Sequence, residues 1–147
     1  MKTDVEALTS LHTTLIDSLH GYTEALNQSD DATIKPLLRD MITIRQSAAD
    51  EIGDVLTGLG ETVSNEGSIL STVHHAVISI RSLFSGVNET MLPGLIDGEQ
   101  RILGYYDEAL TVAPVDGPER ALLVHQRMTL ESKIAELQAK SPTKPPA

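Results

Sequence analysis

The chain contains no cysteine and no tryptophan, and its only aromatic residues are three tyrosines and one phenylalanine. Without cysteine, disulfides, thiolate metal ligands and thiol nucleophiles are all excluded. Strands are usually rich in aromatic and β-branched residues, so the shortage of aromatics argues against a β-sandwich or a barrel. The composition instead favours a bundle of helices.

Basic residues are also few, since 11 Lys and Arg stand against 21 Asp and Glu and give a formal net charge of -10. Nucleic-acid binding draws on clustered Lys and Arg, so we expect no nucleic-acid partner. No apolar run approaches the roughly 20 residues that span a bilayer, and the first ten residues lack the apolar core of a secretory signal. We therefore expect a soluble cytoplasmic protein that makes no membrane contact.

Apolar residues recur at steps of three and four along most of the chain, which indicates helices. The pattern predicts five of them, at about residues 5–26, 33–59, 69–84, 88–110 and 117–140. Thr3 and Glu6 predict a capping box at the start of the first helix. The second begins near Thr33, because Pro36 is tolerated only in the first turn.

The third predicted helix is shorter than the other four, and this constrains the topology. A short helix between the second and third long ones lets the chain cross the length of a bundle. The sequence therefore predicts an all-α, ferritin-like up-down four-helix bundle with a shorter crossover helix. We expect one domain over residues 1–140 and a disordered, Pro-rich tail at 141–147.

Two charged residues fall on apolar helix faces. Glu99 lies at the centre of the apolar stripe of its predicted helix, and Arg45 lies within the apolar face of the second helix. An unpaired buried carboxylate is costly, and the two residues fall at nearly the same level of the bundle. We therefore predict a buried, charge-assisted pair between Arg45 and Glu99, to which Tyr22 or Tyr106 could add a hydroxyl donor.

The alternative is that Glu99 is a metal ligand. Di-iron bundles use a Glu from each of two helices and a Glu-x-x-His motif from each of the other two. No Glu-x-x-His occurs in this chain. Glu99, His12, Glu131 and His125 form an incomplete set, and Arg45 would repel a metal ion. We favour a structural pair with no cofactor, and the iron or manganese site stays open as the alternative.

Several short motifs follow one another in a characteristic order: LTSL at 8–11, GYTEA at 21–25, RQSAADE at 45–51, LGE at 59–61 and YDEAL at 106–110. In this order the chain resembles a bacterial ferritin-like four-helix-bundle family of unknown function, for which general stress or structural roles have been suggested. The positions that match the family are Asp17, Tyr22, Glu51, His74 and Tyr106. The chain departs from the family pattern in lacking a Trp in the short helix. The resemblance implies the fold and the compartment rather than an activity.

No nucleophile elbow, phosphate-binding Gly loop or Ser, His and Asp set occurs in a supporting context, so nothing points to an enzyme. The last predicted helix has one apolar stripe that includes Leu123 and Leu130, and a second that includes Ala121, Val124 and Met128. A helix that is apolar on two sides needs two neighbours. We expect the second neighbour to be another copy of the chain in a homodimer, unless the short helix covers that face.

Overall fold

The computed structural model describes residues 3–63 and 92–140. These residues form four helices and no strand: α1 (Asp4–Gln28), α2 (Ile34–Gly58), α3 (Leu92–Val112) and α4 (Pro118–Lys140). The predicted all-α class is confirmed for this part of the chain. The short helix predicted at 69–84 and the tail predicted at 141–147 lie outside the described residues.

Side chains and one glycine fix the ends of the first two helices. Thr3 Oγ1 accepts the backbone N–H of Glu6 at 3.1 Å, which is the predicted cap of α1. Asp31 Oδ1 accepts the N–H groups of Thr33 at 2.8 Å and Ile34 at 3.2 Å at the start of α2. After α2, Gly60 adopts a φ of 87°, a left-handed conformation that favours glycine and ends the helix.

Two apolar clusters, one at each end of the bundle, fix the directions of the helices. The first joins the starts of α1 and α4 to the ends of α2 and α3, through residues such as Leu8, Leu123, Ile52 and Tyr106. The second joins the opposite ends of the same helices, through Tyr22, Leu137, Ile34 and Leu92. Helices α1 and α4 therefore run one way, and α2 and α3 run the other.

This order of directions sets the connection between α2 and α3. The end of α2 and the start of α3 belong to opposite clusters, so the intervening chain joins opposite ends of the bundle. Parallel second and third long helices are consistent with a bundle that has one long crossover, and ferritin-like folds have one.

The four helices do not pack equally closely. α1 packs against α2 and α3, and α3 packs against α4, whereas α2 and α4 approach each other less closely. Between α2 and α4 lies a cleft of about 220 Å³. Helices α2 and α3 lie diagonally opposite each other and run in the same direction. Their polar residues therefore lie at the same depth in the bundle.

Candidate functional site: the polar centre of the bundle

Arg45 of α2 and Glu99 of α3 meet in the middle of the bundle. Arg45 Nη2 donates a hydrogen bond to Glu99 Oε1, and each side chain is only 2% exposed. Each residue lies in the buried stripe of its own helix. In α2, Arg45 lies between the buried residues Met41 and Ala48. The helical repeat alone thus puts two opposite charges in the core, where they neutralise each other.

The surroundings of this pair keep the Arg45 guanidinium charged. Burial lowers the pKa of the Arg45 guanidinium, but its interactions with Glu99 and with the neighbouring tyrosines more than offset this, so that the pKa lies above its usual value. The guanidinium carbon lies 5.9 Å from the ring centroid of Tyr22, within cation–π range. Burial and the Glu99 carboxylate raise the pKa of Tyr22, so its hydroxyl stays protonated.

A second set of hydrogen bonds lies one to two turns away and connects α3, α4 and α2. The Tyr106 hydroxyl donates to Gln126 Oε1 at 2.7 Å, and burial raises the pKa of Tyr106. Gln126 Nε2 in turn donates to the carbonyl oxygen of Ala48 and to Glu51 Oε1, both at 3.3 Å. Gln126 therefore uses both ends of its amide to tie three helices together.

One polar atom in the centre has no partner. The Nε–H group of Arg45 is buried and makes no hydrogen bond within residues 3–63 and 92–140. Arg45 also lines the cleft between α2 and α4, together with Glu51, Tyr106 and Gln126. The two polar networks therefore border the same cleft.

The structure does not assemble the predicted metal ligands. Glu99 is bonded to Arg45, and Glu131 is an exposed residue whose Oε1 lies 2.6 Å from Arg127 Nη1. His12 is buried between α1 and α2, where burial lowers its pKa, and His125 is exposed on α4. Among residues 3–63 and 92–140, no three His, Asp or Glu side chains come together as a candidate metal group. The described residues therefore do not assemble a di-metal centre.

The family-matched positions are divided between the centre and its surroundings. Tyr22, Glu51 and Tyr106 all belong to or border the polar networks. Asp17 is half-buried on α1, and His74 lies outside the described residues.

Sequence reasoning missed Gln126, although a signal was present. Gln126 follows Leu123 by three residues and precedes Leu130 by four, so it lies on the same buried stripe of α4. A polar residue at such a position is expected to have a partner in the core.

A pair of carboxyl groups at one end of the bundle was also missed. Burial, followed by a side-chain hydrogen bond and the charge of Glu119, raises the pKa of Asp4 to about 6. Glu119 is itself buried, and Asp4 Oδ1 makes no hydrogen bond within the described part of the chain. A proton on Asp4 would let it donate to Glu119. Nothing in the sequence marks this pair, because first-turn acids are ordinary at helix starts.

These helices and contacts define an all-α bundle whose centre contains a buried ion pair. The chain belongs to the family described as Domain of unknown function (DUF2383), whose profile matches residues 3–112. The match spans α1, α2 and α3 and ends before α4. Comparison with curated proteins and with solved structures gives no match.

No helix in the described part of the chain is both long and apolar enough to cross a membrane.

Proposed function

We propose that this protein is a non-enzymatic, ferritin-like helical bundle that acts by association with a second copy through the outer face of α4. The ferritin-like part rests on the parallel directions of α2 and α3, which a bundle with one long crossover requires. A cytoplasmic, stress-related role, which the resemblance to the bacterial family implies, belongs to the same proposal. The observation that supports association with a second copy is the exposed apolar face of α4.

That face contains two large apolar side chains one turn apart. Val124 is 42% exposed and Met128 is 63% exposed, while the opposite side of α4 is buried in the bundle through Leu123 and Leu130. Ala121 and Ala135 extend the exposed face in both directions. An exposed apolar helix face of this kind is a common site of protein association.

The spacing along this face suits a two-fold contact. Ala121 precedes Met128 by seven residues and Ala135 follows it by seven. Two antiparallel α4 helices that cross at Met128 would therefore set each Ala121 opposite Ala135 of the second copy. A self-complementary patch is what a two-fold homodimer requires.

The alternative, an iron- or manganese-binding protein, has less support from the contacts. Glu99 would have to be a ligand, and Arg45 is bonded to it. A guanidinium in contact with that carboxylate opposes a second cation there.

The test is the mass of the full chain in solution over a wide range of concentrations, by sedimentation velocity and light scattering. We expect twice the chain mass of 15.8 kDa, and a return to one chain mass in the double variant Val124→Glu and Met128→Glu. Circular dichroism checks that the variant keeps its helices.

Val115→Glu is the matched control, because Val115 is 81% exposed but lies in the α3–α4 connection rather than on the outer face. It should leave the mass unchanged. A wild-type protein that is monomeric at every concentration contradicts the proposal, as does a control that dissociates like the double variant.

A further inference from the structure

A pocket of about 190 Å³ lies between α1 and α2. It is lined by His12 of α1 and by Ala49, Asp50, Gly53, Asp54 and Thr57 of α2. A cavity of about 150 Å³ is large enough to take up benzene. The pocket can therefore hold a molecule of about six heavy atoms.

His12 is the buried polar residue of this pocket. It is only 4% exposed, and its side chain makes no hydrogen bond within residues 3–63 and 92–140. A Cβ on Gly53 would lie 3.3 Å from His12 Nε2 and 3.8 Å from Val63 Cγ2. His12 Nε2 therefore borders the space beside Gly53, and both Gly53 and Val63 line the pocket.

The ring of His12 can also be reached and can accept a hydrogen bond. In the described part of the chain, Asp4 Oδ1 and Arg45 Nε are the enclosed side-chain atoms that lack a partner. The ring nitrogens of His12 lack a partner but are not enclosed, so a molecule in the pocket can contact them. Burial lowers the pKa of His12, with the charge of Asp50 opposing, so the ring is neutral at pH 7 and one nitrogen accepts.

The other polar side chains of the pocket are acceptors as well. Asp50 and Asp54 are one turn apart on α2 and therefore lie on the same side of the helix. Thr57 donates its hydroxyl proton to the carbonyl oxygen of Gly53 at 3.0 Å, which leaves the hydroxyl oxygen free to accept. Among the described residues, no Lys or Arg lines the pocket. A ligand that carries positive charge and donates several hydrogen bonds therefore matches it.

A primary alkylammonium meets these requirements better than a metal ion does. In the described part of the chain, no three His, Asp or Glu side chains come together as a candidate metal group. An ammonium group has three N–H donors, one each for His12, Asp50 and Asp54. Its alkyl chain can pack against Ala49 and Val63. We propose that the pocket between α1 and α2 binds a small primary alkylammonium through His12 Nε2 and the carboxylates of Asp50 and Asp54.

The experiment titrates the full-length, ¹⁵N-labelled protein at pH 7 with four molecules that share one alkyl chain: butylammonium, butyltrimethylammonium, 1-butanol and butyrate. The trimethyl compound keeps the charge and the chain but cannot donate a hydrogen bond. Amide chemical shifts report the affinity and the location. We expect saturable shifts with butylammonium, centred on residues that line the pocket, and an affinity about tenfold or more above those of the other three.

Three variants test the acceptors, and a fourth is the matched control. Asp50→Asn and Asp54→Asn should each weaken butylammonium binding about tenfold. Glu51→Gln removes the same charge from α2, but Glu51 lines the cleft between α2 and α4 instead. The control should change the affinity by less than about twofold, because salt screens a distant exposed charge.

His12→Phe keeps a ring at the buried position and removes Nε2, so it should abolish binding. Asp50, Glu51 and Asp54 are exposed, so their variants keep the test valid if His12→Phe loses its helical signal.

Three results overturn the inference. The first is no saturable shift with butylammonium, which means that the pocket contains solvent only. The second is butyltrimethylammonium binding as tightly as butylammonium, because the hydrogen bonds to His12, Asp50 and Asp54 then contribute nothing. The third is a loss of affinity in Glu51→Gln equal to that in Asp54→Asn, because net charge and not the pocket then attracts the cation.

Discussion

Arg45 and Glu99 come from helices that lie diagonally across the bundle, yet Arg45 Nη2 donates directly to Glu99 Oε1 in the core. Because α2 and α3 run parallel, residues at matching depths on the two helices face each other across the centre. Bundles commonly place ligands or metals at such inward-facing positions. Here the position is taken by two side chains of opposite charge.

Breaking this pair should be much more harmful than removing it. Arg45→Met and Glu99→Leu should each lower the free energy of unfolding by about 3–5 kcal/mol, because each leaves one uncompensated charge in the core. The double variant should be close to neutral or more stable than wild type. Urea unfolding of all four proteins gives the coupling directly, and additive single effects would contradict a direct interaction.

The hydroxyl of Tyr106 should matter, while that of its neighbour should not. Tyr106→Phe leaves Gln126 Oε1 without its donor and should cost about 1–3 kcal/mol of unfolding free energy. Tyr105 is 36% exposed, so Tyr105→Phe is the matched control and should change stability by less than about 0.5 kcal/mol. Equal effects in the two variants would mean that the Tyr106–Gln126 bond is not stabilising.

The Asp4 and Glu119 pair should make the protein less stable as pH rises. The folded-state pKa of Asp4 is raised from 3.8 to about 6, so the folded state binds the proton more tightly than the unfolded state does. The stabilising contribution of Asp4 to the free energy of unfolding is complete below pH 3.8 and is lost as the pH rises through about 6. The amide of Asp4→Asn donates to Glu119 at any pH. This variant should therefore show a smaller fall in the free energy of unfolding between pH 3.8 and about 6, measured by urea unfolding.

His12 gives the opposite slope and serves as an internal comparison. Burial lowers the pKa of His12 below 6.5, and the charge of Asp50 opposes this shift. The stabilisation that comes from neutral His12 is therefore lost as the pH falls below 6.5. His12→Gln should remove the loss of stability at acid pH and leave the pH dependence that comes from Asp4 unchanged. A slope that is unchanged in Asp4→Asn would show that the carboxyl pair does not share a proton.

The glycines of α2 and α3 should respond differently to alanine. A Cβ on Gly98 or Gly104 meets no atom within 4 Å, so Gly98→Ala and Gly104→Ala should each gain about 0.5–1 kcal/mol from helix propensity. A Cβ on Gly53 would lie 3.3 Å from His12 Nε2. Gly53→Ala should therefore gain nothing or destabilise, and a gain equal to that of Gly98→Ala would contradict this packing.

The sequence was sufficient for the four described helices and for the Arg45–Glu99 contact, because both follow from apolar spacing. A charged residue in the middle of a buried stripe needs a partner in the core. Two residues of opposite charge at the same depth of the bundle are therefore expected to pair with each other. Helix α3 shows the limit of propensity. Pro93, Gly94 and Gly98 indicate a weak start, yet the helix is formed at Leu92 because Leu92 and Leu95 are buried.

What sequence reasoning missed depends on distances between helices. Asp4 and Glu119 are far apart in the chain, and only the packing of two helix starts brings their carboxyl groups together. The cleft beside Arg45 likewise arises from the looser approach of α2 to α4, and apolar spacing carries no information on how closely two helices approach.

We infer that the Glu99 carboxylate is neutralised by Arg45 and not by a metal ion. The most direct test is elemental analysis by mass spectrometry of untagged protein purified without chelator. We predict iron, manganese and zinc contents far below one atom per chain, in both wild type and Glu99→Gln. One or more equivalents of a transition metal in wild type, lost in Glu99→Gln, would contradict the claim and make Glu99 a ligand.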